Sequence, residues 1–244
     1  MTYDYGHQAP PQPPPPPQPQ LRRVRPPTPV TRALLIIIAI VFAFEYAADL
    51  SAFHGQMRPS EFIAANIDDS NPLLLWGAIR PPLVWRGELW RLVTAMFLHG
   101  STLHIGFNAW ALYQLGSLYE VMFGSRRFAF IYFATGLCAS VASSLHIHGA
   151  SVGASGAIFG VLGAFIFSIR RSPRWRRQSW TRGLLMQLVL VAIVNIIIGF
   201  SVTFIDNAAH IAGLVSGLLF GLIPTHTPPP APRESIIEVM PYEG

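Results

Sequence analysis

The sequence contains no lysine and little charge of either sign, since 12% of its 244 residues are charged. Soluble domains carry about 25% charged residues. Hydrophobic residues make up 51% of the chain, and its mean hydropathy is +0.40. The composition therefore excludes an ordinary soluble domain and predicts a chain surrounded mostly by lipid. The single cysteine, Cys138, excludes an intramolecular disulfide.

The basic residues, 17 in number, are all arginine and give the chain a net charge of +5. They cluster between apolar stretches instead of lining one face, a pattern typical of membrane orientation and not of nucleic-acid binding. We therefore expect no nucleic-acid partner. If the N-terminal tail lies inside, only four arginines fall on the outer side: Arg58, Arg80, Arg86 and Arg91. This bias predicts that both chain ends are cytoplasmic.

Six apolar segments lie between two proline-rich tails. Residues 1–30 and 224–244 cannot bury a core, so we expect both tails to be disordered. The segments are near 31–48, 102–121, 127–146, 153–170, 183–201 and 207–223. Each approaches the roughly 20 residues that span a bilayer as a helix, the form that pairs its backbone groups internally. The sequence thus predicts an all-α membrane domain over residues 31–223, built from six transmembrane helices.

The connection between the first two segments is long and rich in tryptophan. It contains Trp76, Trp85 and Trp90, whereas a solvated loop needs no such residues. Indole rings favour the headgroup level of a bilayer. We therefore expect a structured outer loop at the membrane interface, in which Arg91 anchors the chain by hydrogen bonds to carbonyls or headgroups.

Polar side chains begin three of the six segments at the same predicted depth. Ser155 and His210 each lie about one turn in from the outer end of a segment. His104 and Asn108 are four residues apart, so they share one helix face at a similar depth. Polar residues inside a membrane are costly and indicate function. The topology therefore predicts that these four side chains converge just below the outer surface.

This set of residues permits acyl transfer. A serine hydroxyl is a weak nucleophile until a neighbouring base removes its proton, and His210 is the candidate base for Ser155. His104, Asn108 and the backbone N–H of Ser155 are candidate donors to the oxyanion. Glycines on the two helices, among them Gly153, Gly156, Gly160, Gly163, Gly213, Gly217 and Gly221, allow the close approach that a Ser155–His210 hydrogen bond requires.

Four motifs in this chain resemble those of the rhomboid family of intramembrane proteases. GASGAIFG over residues 153–160 is similar to its GxSG motif, and AHIAGLVSG over 209–217 to its AHxxGxxxG motif. FLHGSTLHIGFN over 97–108 is similar to its HxxxN region, and Trp90-Arg91 to a pair in its outer loop. The resemblance covers about residues 31–223, in the family's order.

The resemblance implies a six-helix bacterial type in the inner (plasma) membrane, with the active site open to the outer side. It implies a Ser155–His210 dyad without an acid or cofactor, which cleaves transmembrane protein substrates near the outer ends of their helices. The fifth helix is implied as the lateral gate. Phe159 stands where some members carry a tyrosine under the histidine, so stacking can persist while the hydroxyl is lost.

Three alternatives remain beside this interpretation. Asp206 could complete a triad with His210, but we favour an N-cap of the last helix. A metal site built from His99, His146, His148 and the two site histidines is disfavoured, because no acidic ligand or i, i+4 histidine pair accompanies them. A catalytically silent relative that binds membrane helices is the alternative function, although serine and histidine are both present. The sequence leaves the oligomeric state open.

Overall fold

A computed structural model of the chain describes residues 21–23, 27–52, 72–147, 149–202, 205–224 and 237–239. Most of the two proline-rich tails, Arg58 and His148 lie outside these residues, so the predictions made for them are not addressed by the structure. The chain divides into two compact units, one of residues 27–227 and one of residues 1–26 with 228–244. In the second unit, β1 (Leu21–Arg23) pairs antiparallel with β2 (Ile237–Val239). The sequence does not predict these strands, and disorder in the rest of both tails stays a prediction.

The first long helix of the larger unit is α1 (Pro29–Ala52). Its first turn is capped from a distant part of the chain, because the carboxylate of Glu120 accepts hydrogen bonds from the backbone N–H groups of Val30 (2.9 Å) and Thr31 (2.8 Å). The hydroxyl of Thr31 donates to the same carboxylate at 2.7 Å. An acidic side chain at a helix N-terminus also complements the helix dipole. Glu120 is thus a structural residue.

The described part of the outer loop is folded into three short helices: α2 (Leu73–Trp76), α3 (Pro81–Val84) and α4 (Arg91–Thr94). Arg91 is buried and donates to the carbonyls of Leu74 (2.6 Å) and Ala78 (3.0 Å). It also forms a salt bridge with Glu88 at 2.7 Å. The expected anchoring of this loop by Arg91 is confirmed.

The remaining long helices follow the predicted segments to within a few residues. The second segment forms α5 (Thr102–Ala111), a π-helical stretch (Leu112–Gly116) and α6 (Ser117–Phe123), continuous in backbone. After Gly124 come α7 (Ser125–His146), α8 (Ser155–Arg171), the short α9 (Pro173–Arg176), α10 (Thr181–Ser201) and α11 (Asn207–Phe220). The larger unit is therefore a helical membrane bundle, as predicted.

Length and apolar composition alone mark three of these helices as able to cross a membrane: Pro29–Ala48, Ser125–His146 and Thr181–Ser201. Helix α11 is apolar but shorter. Helix α8 is buried along almost its whole length, because it lies between α7, α10 and α11. Its central position explains why 17 residues suffice, since neighbouring helices and not lipid surround it.

Helices α8 and α11 make the closest contact of the bundle. A Cβ atom placed on Gly213 would overlap the carbonyl oxygen of Gly156, and one on Gly217 would overlap that of Gly160. Only glycine permits backbones this near, as in the small-residue faces of membrane helix pairs. This contact fixes where the first turns of α8 and α11 lie relative to each other.

Candidate active site

Ser155 is the first residue of α8. Gly153 adopts a left-handed φ of 123°, and its N–H donates to the carbonyl of Ala95 in the outer loop at 2.8 Å. The turn is therefore held against the loop while the chain reverses into the helix. Ser155 Oγ lies near the helix N-terminus, where backbone N–H groups and the dipole favour negative charge.

His210 faces this serine from the first turn of α11. Its Nε2 lies 2.9 Å from Ser155 Oγ, although the two residues are 55 positions apart in the chain. The imidazole is buried, and its other face stacks on Phe159 with the ring centroids 4.2 Å apart and the planes 11° from parallel. The predicted convergence of Ser155 and His210 and the stacking by Phe159 are both found in the structure.

Asp206 acts as the N-cap of α11 and is not hydrogen-bonded to His210. One carboxylate oxygen accepts from the backbone N–H of Ala209 at 3.0 Å, and the other accepts from the Ser143 hydroxyl of α7 at 2.5 Å. Nδ1 of His210 is buried and has no hydrogen-bond partner among the described residues. The preferred interpretation of Asp206 as a cap is confirmed, and no carboxylate among the described residues hydrogen-bonds to His210.

His104 and Asn108 lie beside the turn that precedes the serine. A Cβ atom on Gly153 would stand 2.6 Å from His104 Nε2 and 3.6 Å from Asn108 Nδ2, so both nitrogens face this turn. The α5 helix that carries them is capped by Ser101, whose hydroxyl accepts from the His104 N–H at 3.1 Å. Asn108 Nδ2 is buried without a hydrogen-bond partner among the described residues. A buried donor without a partner suits a group that bonds only to a reacting oxygen.

His99 lies behind His104, where the sequence predicts no role for it beyond the disfavoured metal site. Its ring packs edge-on against that of His104, with centroids 5.1 Å apart. Its backbone N–H donates to the carboxylate of Glu45 in α1 at 3.2 Å. Burial, helped by the nearby His104, lowers the pKa of His99 to about 3, so this imidazole is neutral over the physiological range.

A cavity of about 20 Å³ adjoins Ser155 between the outer loop and the first turns of α8 and α11. Its polar lining includes Ser140, Ser143 and Asp206, and its size suits about one water molecule. No sequence motif singles out the two serines, although their spacing of three places them on one face of α7. In the described parts of the chain, no cluster of three or more histidine, cysteine, aspartate or glutamate residues is arranged to hold a metal ion.

Comparison with known proteins gives concordant matches. The family model described as the Rhomboid domain matches residues 86–226. Rhomboid protease GluP of Bacillus subtilis (strain 168) is 39% identical over 149 residues, which are 61% of this chain and 29% of that protein. RHOMBOID-like protein 5 of Arabidopsis thaliana is 36% identical over 150 residues, 60% of this chain and 48% of that protein.

A third relative is similar over a slightly longer stretch. Rhomboid-like protease 1 of Toxoplasma gondii is 29% identical over 161 residues, which are 64% of this chain and 54% of that protein. The chain thus spans between 29% and 54% of the length of these three curated relatives. The matched region of the family model contains every residue of the site described above.

Proposed function

The chain belongs to the rhomboid family, and from this premise we propose that it is an active serine endopeptidase that cleaves transmembrane proteins. Its family and its apolar helices make it an integral membrane protein. The single observation that carries the proposal is the 2.9 Å separation of Ser155 Oγ and His210 Nε2. That distance is a hydrogen bond between a nucleophile and a base, which is the first requirement of covalent acyl transfer.

His210 is proposed as the base and then the acid. Nε2 accepts the Ser155 proton while Oγ attacks the peptide carbonyl, and the same nitrogen gives that proton to the leaving amine. A water then attacks the acyl-enzyme with His210 as base again. The neutral imidazole carries its proton on Nδ1 when Nε2 faces Ser155. Stacking on Phe159 orients the ring, because no side chain among the described residues hydrogen-bonds to the other nitrogen.

The negative charge of the tetrahedral intermediate is proposed to lie beside Gly153. The donors are the N–H of Ser155, Asn108 Nδ2 and His104 Nε2, the last in the tautomer that carries a proton there. His99 contacts the His104 ring as a neutral imidazole, so the proposed stabilisation comes from the hydrogen-bond donors and not from a charge on His99. Preorganised donors of this kind usually supply the largest share of acyl-transfer catalysis.

The location of the dyad supports membrane-protein substrates. Ser155 and His210 lie in the first turns of helices α8 and α11, so the site is at one end of the bundle and not at its centre. Peptide bonds near the end of a substrate helix can reach it once the substrate helix unwinds locally. The arginine bias supports an orientation in which this end faces outward and both chain ends are cytoplasmic. The bacterial inner membrane is the proposed location.

One experiment tests the proposal directly. The purified full chain in detergent is incubated with a transmembrane reporter substrate, and with a fluorophosphonate that labels activated serines. Ser155→Ala and His210→Ala should abolish cleavage, and Ser155→Ala should abolish labelling. Ser144→Ala and His146→Ala are matched controls, since the Ser144 hydroxyl donates to the carbonyl of Val141 in its own helix and His146 is exposed at the end of α7; both should retain activity. Cleavage that survives Ser155→Ala would refute the mechanism, and neither cleavage nor labelling by the wild type would favour the silent relative.

A further inference from the structure

The end of the bundle opposite the dyad carries a dense group of arginines. Between residues 170 and 182 lie six: Arg170, Arg171, Arg174, Arg176, Arg177 and Arg182. All six are exposed, and none makes an ion pair or side-chain hydrogen bond with another described residue. The sequence contains no aspartate or glutamate between residues 121 and 205. This positive surface is therefore not neutralised by its own segment, and we call it the arginine platform.

The segment that carries the platform is folded. Its centre is α9, and the hydroxyl of Thr181 donates to the carbonyl of Trp175 at 2.6 Å. Trp175 packs against the main hydrophobic core, and its ring lies 6.0 Å from that of Trp180. The guanidinium of Arg174 stacks over Trp175 at 4.8 Å. Tryptophans at the base of membrane helices lie at the headgroup level, so this arrangement presents guanidinium groups where lipid headgroups are.

Helix dipoles explain only part of this charge. Arg170 and Arg171 lie in the last turn of α8, where the dipole favours cations. Arg182 lies in the first turn of α10, where the dipole disfavours them, and Arg174, Arg176 and Arg177 belong to the connection between the two helices. Helix dipoles therefore do not account for four of the six arginines, which are free to bind an external anion.

We propose that the arginine platform binds the phosphate headgroups of anionic phospholipids. Guanidinium groups bind phosphate oxygens in a bidentate manner, and a platform of several can hold two phosphates at once. Each basic residue near an anionic membrane surface strengthens binding about fivefold. Ser155 and Arg171 are at opposite ends of the 17-residue α8, about 24 Å apart at 1.5 Å per residue, so this site is separate from the dyad.

The consequence is a lipid contact at the base of α10. This helix is apolar and mostly exposed, because 17% of its apolar 18-residue stretch is buried inside the bundle. The platform ends at Arg182, the second residue of α10. Bound headgroups would therefore stabilise the Arg182 end of α10, a helix of which only a small part is buried against the rest of the protein.

Native mass spectrometry of the full chain tests this inference. The protein is released from detergent after equilibration with equal amounts of phosphatidylglycerol and phosphatidylcholine, and the ratio of the two adducts is measured. Wild type should prefer phosphatidylglycerol. The Arg174→Gln/Arg177→Gln double variant should lower that preference by between about fivefold and 25-fold, since each arginine contributes up to about fivefold. The corresponding double substitution to lysine should keep most of it.

Arg32→Gln/Arg126→Gln is the matched control, because both arginines are exposed and removing them costs the same net charge. The control should lower the lipid preference clearly less, because Arg32 and Arg126 lie on two other helices, α1 and α7, and not in the platform. Equal loss in both glutamine variants, or no loss in either, would overturn the platform as a site. Glycerol phosphate at the lipid's concentration should not compete; if it does, the ligand is a soluble anion and the inference is wrong. Thermal unfolding midpoints within a few degrees of wild type show that the variants are folded.

Discussion

Substitutions of Asp206 distinguish a structural role as the N-cap of α11 from a catalytic role as the acid of a triad. Asp206→Ala removes the N-cap of α11, which costs about 1 kcal/mol, and the hydrogen bond from Ser143, which costs about 1.5–3 kcal/mol because its acceptor is charged. The sum, about 2.5–4 kcal/mol, should lower the thermal inactivation midpoint clearly. Cleavage should fall as well, because α11 then no longer holds His210 at the depth of Ser155.

Asp206→Asn should behave differently. The amide oxygen still caps Ala209, and the Ser143 hydroxyl can turn to accept from the amide nitrogen, so both hydrogen bonds persist. Only the negative charge is lost, and it favours the His210 imidazolium through space and not through a hydrogen bond. We therefore expect a loss of less than about tenfold in kcat, with stability near wild type.

The assay is cleavage of a transmembrane reporter in detergent, with inactivation midpoints measured on the same samples. An orienting carboxylate in a serine protease triad is worth about 10⁴ in kcat. A loss of that size in Asp206→Asn, with the fold intact, would refute the purely structural role of Asp206 and favour a triad. Ser143→Ala is the companion variant, because it removes the contact with α7 and leaves the cap in place. It should lower the inactivation midpoint and change kcat little.

Three further variants test the rest of the site. Asn108→Ala should lower kcat by about 10²-fold with KM nearly constant, as expected for one oxyanion donor; an unchanged rate would exclude Asn108. Gly213→Ala places a methyl against the Gly156 carbonyl, so overpacking should cost about 1–3 kcal/mol and lower kcat, whereas Gly183→Ala, whose Cβ meets nothing within 4 Å, should be silent. His99 titrates near 3 when folded and near 6.5 when unfolded, so unfolding takes up a proton and stability falls as the pH drops through that window. His99→Gln should flatten the inactivation midpoint between pH 6.5 and 4; an unchanged slope would contradict this.

Local signals explain what the sequence predicts well here. Ser155 and His210 follow from motifs at the starts of apolar segments, and their depth follows from helix geometry alone. Asp206 was correctly interpreted because an N-cap acts within three residues of its own position. Features of this kind need no knowledge of which helices touch.

Contacts between distant segments that no motif marks could not be predicted. Ser143 meets Asp206 across 63 residues, and Glu120 caps α1 across about 90 residues. Neither Ser143 nor Glu120 changes the apolar pattern of its helix in a way that predicts which residue it contacts. The π-helical stretch at Leu112–Gly116 likewise follows from packing and leaves no periodicity that distinguishes it from α-helix.

The position of His210 depends on three restraints, none of which uses its Nδ1. Asp206 fixes the start of α11, the Gly213–Gly156 contact fixes the distance between α8 and α11, and Phe159 fixes the plane of the ring. In a triad, a carboxylate at the second nitrogen supplies orientation and charge together. Here orientation comes from packing, and the nearest cap carboxylate adds charge without a hydrogen bond. A site built this way should tolerate loss of the Asp206 charge and not tolerate added volume between α8 and α11, so Gly213→Ala should impair cleavage more than Asp206→Asn does. The reverse order would mean that charge, and not packing, holds the histidine in place.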